Sequence, residues 1–265
     1  GVLAFARVSA SSSYPWTQSA VLLGAPIDGR LGDPRVVLRE GFNPLLSPNG
    51  KWLAYLLLQG PEATPRLNLL NLENAHAREI AEMPQSSRNF MAFPWYFGMR
   101  DFQWSSRNEL WFVQGSTREG SRILRVDPAQ GAARPVSVLK PGETASSLTP
   151  TRDESRLFYV RSESGKPGGS VQEFAAGRES TRFAVTTGAL AILGRAGPAL
   201  IVAHHPQPGE DRVRLLSLEG GAVKTLFELD SKPPTLRLAP GQNAVVRTVS
   251  EVESLSTVIL LLDPP

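Results

Sequence analysis

The stretch "NPLLSPNGKWLAYL" (residues 43–56) decides the fold. Two short apolar runs flank a Ser-Pro-Asn-Gly-Lys segment. Pro48 presets φ for a tight turn, while Asn49 and Gly50 tolerate positive φ, so the stretch reads as strand, turn, strand. The same form returns as "FQWSSRNELWFV" (102–113) and "SSLTPTRDESRLFYV" (146–160), and more faintly as "LAILGRAGPALIV" (190–202) and "LRLAPGQNAVVRTV" (236–249). Taking Ser47, Ser105, Thr149, Gly194 and Ala239 as matching points gives steps of 58, 44, 45 and 45 residues. Two further strands follow each copy, the third often ending in an "RVD" or "NLE" turn. Four strands in about 45 residues is the size of one β-propeller blade. Such a blade cannot bury both faces alone, so the repeat implies stacking around a channel.

The rest of the chain agrees. "VLAFARV" (2–8), "AVLLGAPI" (20–27) and "RVVLR" (35–39) are short runs rich in β-formers, bounded by Gly, Pro, Ser or Asp. Helix is plausible only around Asn74–Ala81, where a strand serves as well. The class is all-β. Complete four-strand units span 43–83, 101–139, 146–185 and 189–229, with a three-strand unit at 234–262 and a partial first blade in 1–42. If the two partial sets belong to separate blades the total is six, with five or seven as alternatives and the end blades incomplete. Residues 1–265 then form a single propeller domain.

"LLSPNGKWLAYL" resembles the "SPDGK.LAY" motif of TolB-like, WD-related β-propellers, with Asn49 where the motif has Asp. The following "RLNLLNLENAHAREI" is similar to the strand–turn–strand that trails that motif. The resemblance covers residues 43 to 262. It implies a non-catalytic module that engages a protein or peptide through a loop face and the channel mouth, in a periplasmic or other extracytoplasmic bacterial setting. A similar propeller gates the separate hydrolase domain of prolyl-oligopeptidase-like peptidases, which gives a second reading. The sensory domain of a membrane-anchored regulator is a third.

Composition narrows the partners. The formal net charge is +3, and the basic residues are scattered arginines rather than a run, which argues against nucleic acid. There are no cysteines, so disulfides and thiolate chemistry are excluded. No apolar run reaches the 18 or so residues of a membrane span. "GVLAFARVSASSS" lacks the basic start and longer apolar core of a signal peptide.

The one long step contains an insertion of about fourteen residues, within 84–100, "PQSSRNFMAFPWYFGMR". Residues 90–104 hold seven of the chain's twenty aromatic residues. Long loops on a rigid scaffold carry function, and aromatic side chains flanked by arginine suit a binding surface. Phe93, Trp95, Tyr96, Phe97 and Arg100 are therefore the candidate binding residues. The alternative is that the same rings fold back as a plug or cover a blade edge.

His204 and His205 are adjacent in a strand and point to opposite faces, so they cannot share a metal. His76 falls in a solvated turn. There is no G-x-S-x-G elbow. "SGKPGGS" (164–170) lacks phosphate-loop spacing and sits where a hairpin is expected. No catalytic set, metal site or cofactor is expected.

Overall fold

The structure, a computed structural model, describes residues 3–8, 19–24, 26–27, 30–31, 35–58, 64–84, 101–116, 120–206, 211–219, 221–229, 244–246 and 260–262. The described residues contain strands and turns and no helix. In chain order the strands are β1 (Leu3–Val8), β2 (Ser19–Gly24), β3 (Pro26–Ile27), β4 (Arg30–Leu31), β5 (Arg35–Leu38), β6 (Phe42–Leu46), β7 (Trp52–Leu57), β8 (Arg66–Asn71) and β9 (Ala77–Glu82). They continue with β10 (Phe102–Trp104), β11 (Leu110–Ser116), β12 (Gly120–Val126), β13 (Ala133–Val138), β14 (Glu143–Pro150), β15 (Arg156–Glu163), β16 (Gly169–Ala175) and β17 (Arg178–Val185). The last are β18 (Ala189–Ala196), β19 (Ala199–His205), β20 (Asp211–Ser217), β21 (Val223–Leu229), β22 (Ala244–Val246) and β23 (Leu260–Leu262).

Four sheets have four strands each, in chain order: β6–β9, β10–β13, β14–β17 and β18–β21. These are the four complete units read from the repeat. The ambiguous stretch near Asn74–Ala81 is strand β9 preceded by a turn. A three-stranded sheet β1-β2-β5 lies in the N-terminal segment, and β22 pairs with β23 at the C-terminal end. The chain divides into two compact units. One is Gly1–Arg88, Gln103–Ser116 and Arg122–Val138, and the other is Asn89–Phe102, Thr117–Ser121 and Leu139–Pro265.

The turns after β6, β10 and β14 show why a hydroxyl residue recurs at that point. In β6–β9, Ser47 Oγ donates to Asn49 Oδ1 at 2.7 Å and accepts from Trp52 N–H at 3.0 Å. Asn49 Oδ1 also accepts from Lys51 N–H at 3.0 Å. In β14–β17, Thr151 Oγ1 donates to Asp153 Oδ1 at 2.6 Å and accepts from Arg156 N–H at 3.1 Å, while Asp153 Oδ1 accepts from Ser155 N–H at 3.3 Å. Asn49 and Asp153 thus do one job, an Asx turn clamped by the hydroxyl two residues earlier. In β10–β13, Ser105 Oγ accepts from Glu109 N–H at 3.1 Å, and Asn108 supplies the positive φ of 65°.

The third matching point therefore needs correction: Thr151, not Thr149, is the partner of Ser47 and Ser105. In β18–β21, Gly194 is no such cap. It follows a register shift between Ile192 and Gly194, and Ala196 pairs with Ala199 across a two-residue turn in which Gly197 takes φ +54°. Ala239 lies outside the described residues.

Each unit has its own core. In the first, Val21 of β2 packs with Leu53 and Tyr55 of β7 and Leu70 of β8, joined by Val37 and Leu38 of β5. Gly41 sits beneath that contact with φ +142°, where a Cβ would come within 2.9 Å of the Tyr55 ring. Sheets β6–β9 and β10–β13 are tied by polar bonds. A register shift between Phe42 and Leu45, with Asn43 at φ 49°, breaks the ladder there, and Leu45 C=O accepts from Trp104 Nε1 at 2.9 Å. Asn49 N–H donates to Asn108 Oδ1 at 2.8 Å, and Arg78 Nη2 donates to Pro128 C=O at 2.6 Å.

In the second unit Phe158, Val160 and Val171 pack against Leu190, Ile192, Leu200, Val202, Leu216 and Leu218, with Phe183 and Val185 at the margin. At about 1.5–3 kcal/mol for each such side chain removed from water, this sheet-on-sheet contact is a large stabilising term.

Candidate functional site

The residues on either side of the insertion are held in the sheets' packing. After β9, Met83 N–H donates to Pro65 C=O at 2.8 Å, and Met83 and Pro84 are buried. On the other side Asp101 is buried and β10 begins. Phe102 and Trp104, two of the seven clustered aromatic residues, are β10 core, which accounts for part of the cluster without any partner. The candidate binding residues Phe93, Trp95, Tyr96, Phe97 and Arg100 lie outside the described residues.

Sequence reading missed two charged clusters on β14–β17. Glu173 is 3% exposed. It stands opposite Phe158 in the β15–β16 register, on the apolar face. Arg156 Nη1 reaches its carboxylate at 3.3 Å, and Arg182 pairs with its other oxygen. A carboxylate buried without such partners would be costly. The signal lay in "SVQEFA", where Glu173 falls in phase with Val171 on a core face.

On the opposite face Tyr159 is fully buried, and its hydroxyl donates to Glu179 at 2.6 Å. Arg161 donates to the Tyr159 hydroxyl at 3.1 Å and pairs with Glu179. Burial, and then the Glu179 carboxylate, push the Tyr159 phenol well above its ordinary value. That excludes the phenol as a base near neutrality. In both clusters the carboxylates are paired with arginines, and both read as structural.

His204 and His205 do take opposite faces. His204 is buried opposite Leu190, and His205 is half-buried. The Arg214 guanidinium holds only donors and lies 3.5 Å from His204 Nδ1, so that nitrogen accepts. Nε2–H then donates to Thr187 C=O at 3.0 Å. Burial lowers the His204 pKa, and Arg214 and Arg212 add to this. His205 is lowered to about 4, by burial first and then by His204.

His76 is exposed in its turn, with its N–H donating to Asn74 Oδ1 at 3.0 Å. "SGKPGGS" is the β15–β16 hairpin. Its Gly168, φ +91°, is held by Gly188 C=O at 2.9 Å, and a Cβ there would strike Val185 C=O. Among the described residues no three His, Asp or Glu side chains converge as a metal ion requires.

Neither a family model nor a curated protein matches this chain. Solved structures do. TolB from Acinetobacter baumannii superposes with a TM-score of 0.60 at 15% identity, over 85% of this chain and 52% of that one. The fold is a TolB-like β-propeller. The β-propeller domain of the Trilobed protease from Pyrococcus furiosus, described as having an open velcro topology, matches at TM-score 0.52 and 12% identity, over 89% of this chain and 82% of that domain. A structure from a study of two prolyl endopeptidases matches at TM-score 0.56 and 13% identity, over 94% of this chain and 35% of that one. The propeller thus spans about half of the TolB structure and about a third of the endopeptidase. Among the described residues no helix is long and apolar enough to cross a membrane.

Proposed function

We propose that this propeller, residues 1–265 as one domain, is a binding module that engages a protein or peptide through the insertion at 84–100. The observation that supports it most is the concentration of aromatic side chains between two anchored strand ends. With Phe102 and Trp104 assigned to β10, five of the seven aromatic residues remain, all within 90–97. Phe93, Trp95, Tyr96 and Phe97 serve as apolar anchors, and Arg100 as a polar contact at the rim. The blades supply the rigidity: clamped turns and paired ion clusters hold the scaffold, so the blades themselves lose little ordering entropy on binding. No chemical step is assigned to the chain, and no cofactor or nucleic acid is needed. The similarity to TolB favours a periplasmic or other extracytoplasmic setting.

The test is paired capture from native extract with immobilised wild type and Trp95→Ala/Tyr96→Ala, melting temperature being measured on both. The expected result is a saturable partner retained by wild type and lost by a variant that melts within about 2 °C of it. A variant that keeps every wild-type partner sinks the proposal.

A second reading rests on the peptidase neighbours: the chain is the gating propeller of a larger serine peptidase. The discriminator is the encoding reading frame. A G-x-S-x-G segment beyond Pro265 would favour the peptidase and a frame without one the free-standing module.

A further inference from the structure

We propose that Asn49 is a deamidation site, and that its turn sorts the products, accepting aspartate and rejecting isoaspartate. The chain contains one Asn-Gly dipeptide, Asn49-Gly50. It is the sequence most prone to this reaction, because glycine places no side chain against the approach of its own backbone nitrogen to the Asn carbonyl carbon. Both residues are exposed, and no atom lies within 4 Å of where a Gly50 Cβ would be.

The chemistry is self-contained. Solvent hydroxide removes the Gly50 amide proton, and that nitrogen bonds to Asn49 Cγ. The side-chain Cγ–Nδ2 bond breaks, and Nδ2 takes a proton from water and leaves as ammonia, which regenerates the hydroxide. Water then opens the five-membered imide at one carbonyl or the other. One opening gives aspartate at position 49, and the other routes the backbone through the side-chain carbon as isoaspartate.

Two features of the turn bear on the rate. Gly50 N–H donates to Ser47 C=O at 2.9 Å, so the attacking nitrogen is engaged. Asn49 Oδ1 is gripped by Ser47 Oγ at 2.7 Å and Lys51 N–H at 3.0 Å, which holds Cγ in place. Reaction requires the turn to open, and the Ser47 hydroxyl is the side-chain part of the latch.

The product preference follows from the matching turn of β14–β17. There Asp153 occupies the same position, with Thr151 Oγ1 and Ser155 N–H on one carboxylate oxygen and Ser155 Oγ, at 2.8 Å, on the other. These bonds lower its carboxyl to about 2, the Thr151 bond most, so it is fully ionised at neutral pH. Aspartate at 49 would keep both bonds to Oδ1. It would also leave Asn49 N–H on Asn108 Oδ1, the tie to the next sheet. Isoaspartate adds a backbone carbon between Ser47 and Trp52, whose N–H and C=O close this turn at 3.0 and 2.8 Å, and displaces that pairing.

The experiment incubates the whole chain at pH 8.5 and 37 °C and follows the peptide containing Asn49 by mass spectrometry. Aspartate and isoaspartate are separated chromatographically. Wild type, Ser47→Ala and Asn49→Asp are compared, with melting temperatures. The expected results are a one-dalton gain at Asn49 ahead of every other Asn, a rate at least threefold higher in Ser47→Ala, and an Asn49→Asp melting temperature within about 2 °C of wild type. Isoaspartate-containing molecules should be enriched in the fraction that unfolds first. No gain at Asn49 in either Asn-containing protein overturns the site. A wild-type rate equal to that of Ser47→Ala overturns the latch, and a strongly destabilised Asn49→Asp overturns the sorting.

Discussion

Replacing Thr151 with Ala removes the hydroxyl that clamps the first turn of β14–β17. Thr151 is 4% exposed, so water does not readily substitute for its partners. Two hydrogen bonds are lost, one to Asp153 Oδ1 at 2.6 Å and one from Arg156 N–H at 3.1 Å. At about 1 kcal/mol each the loss is about 2 kcal/mol. For a chain of this size that is a fall in melting temperature of about 4–8 °C. Thr151→Ser keeps the hydroxyl and should melt close to wild type. The informative control is Thr149→Ala, because sequence matching favours Thr149 as the partner of Ser47. Its hydroxyl makes one bond, to Ser147 C=O at 3.1 Å, so its removal should cost about half as much.

The same variant can be read by titration. Asp153 sits at about 2 in the folded state, below its ordinary 3.8, so its stabilising contribution is present above pH 4 and is lost as pH falls towards 2. Removing Thr151 Oγ1, the largest cause of that lowering, should move the Asp153 carboxyl upward in NMR titration. Differential scanning calorimetry of the three variants decides the matter. A Thr149→Ala loss equal to or above that of Thr151→Ala would refute the assignment of Thr151 to the Ser47 position.

Three further outcomes are expected. Gly131→Ala and Gly177→Ala both force alanine to positive φ, +80° and +75°. Only at Gly131 would the new Cβ meet Arg78 Nη1, at 2.5 Å, and push that guanidinium off Pro128 C=O. Urea unfolding should therefore show Gly131→Ala the more damaging by up to about 1 kcal/mol, the worth of that one bond. Glu173→Ala removes the buried partner of Arg156 and Arg182, whose side chains are 34% and 35% exposed and can turn to water, and should cost about 1–2 kcal/mol by urea midpoint, whereas Glu73→Ala, which breaks the exposed Lys51–Glu73 pair, should leave the midpoint nearly unchanged.

Both His204 and His205 are held below the ordinary 6.5, so the unfolded chain binds more protons than the folded one below that value. Stability should then be full above pH 6.5 and decline as pH falls, for His205 until about 4. His205→Gln should flatten the decline of the urea midpoint between pH 6.5 and 4.

The blades were legible because the turn chemistry is local. Ser47, Pro48, Asn49 and Gly50 specify their turn within four residues, and β6–β9 fell where the pattern put it. The slip at Thr149 has a physical origin. Pro150 after Thr149 imitates Pro48 after Ser47, yet the turn is defined by the Asx side chain two residues past the hydroxyl, and only Thr151 has one, in Asp153. The register shift between Ser146 and Thr149, with Ser147 at φ 55°, is the structural slack that accommodates those two residues. Gly194 misled for a related reason, since glycine marks bulges as readily as turns. The Glu173 cluster was not legible, because its partners Arg156 and Arg182 come from the two strands flanking β16 and meet only in the folded sheet. Phe102 and Trp104 fell in β10, where the repeat copy at 102–113 puts them, so aromatic density over 90–104 overstates what is left to the insertion.

The most direct measurement for the binding proposal is site-specific photo-crosslinking with p-benzoylphenylalanine in place of Trp95, irradiated in native extract and analysed by mass spectrometry. A recognition loop predicts an intermolecular adduct with one dominant partner, suppressed by excess unlabelled wild-type protein. Adducts confined to residues of the same chain would contradict it and assign these rings to the propeller's own packing.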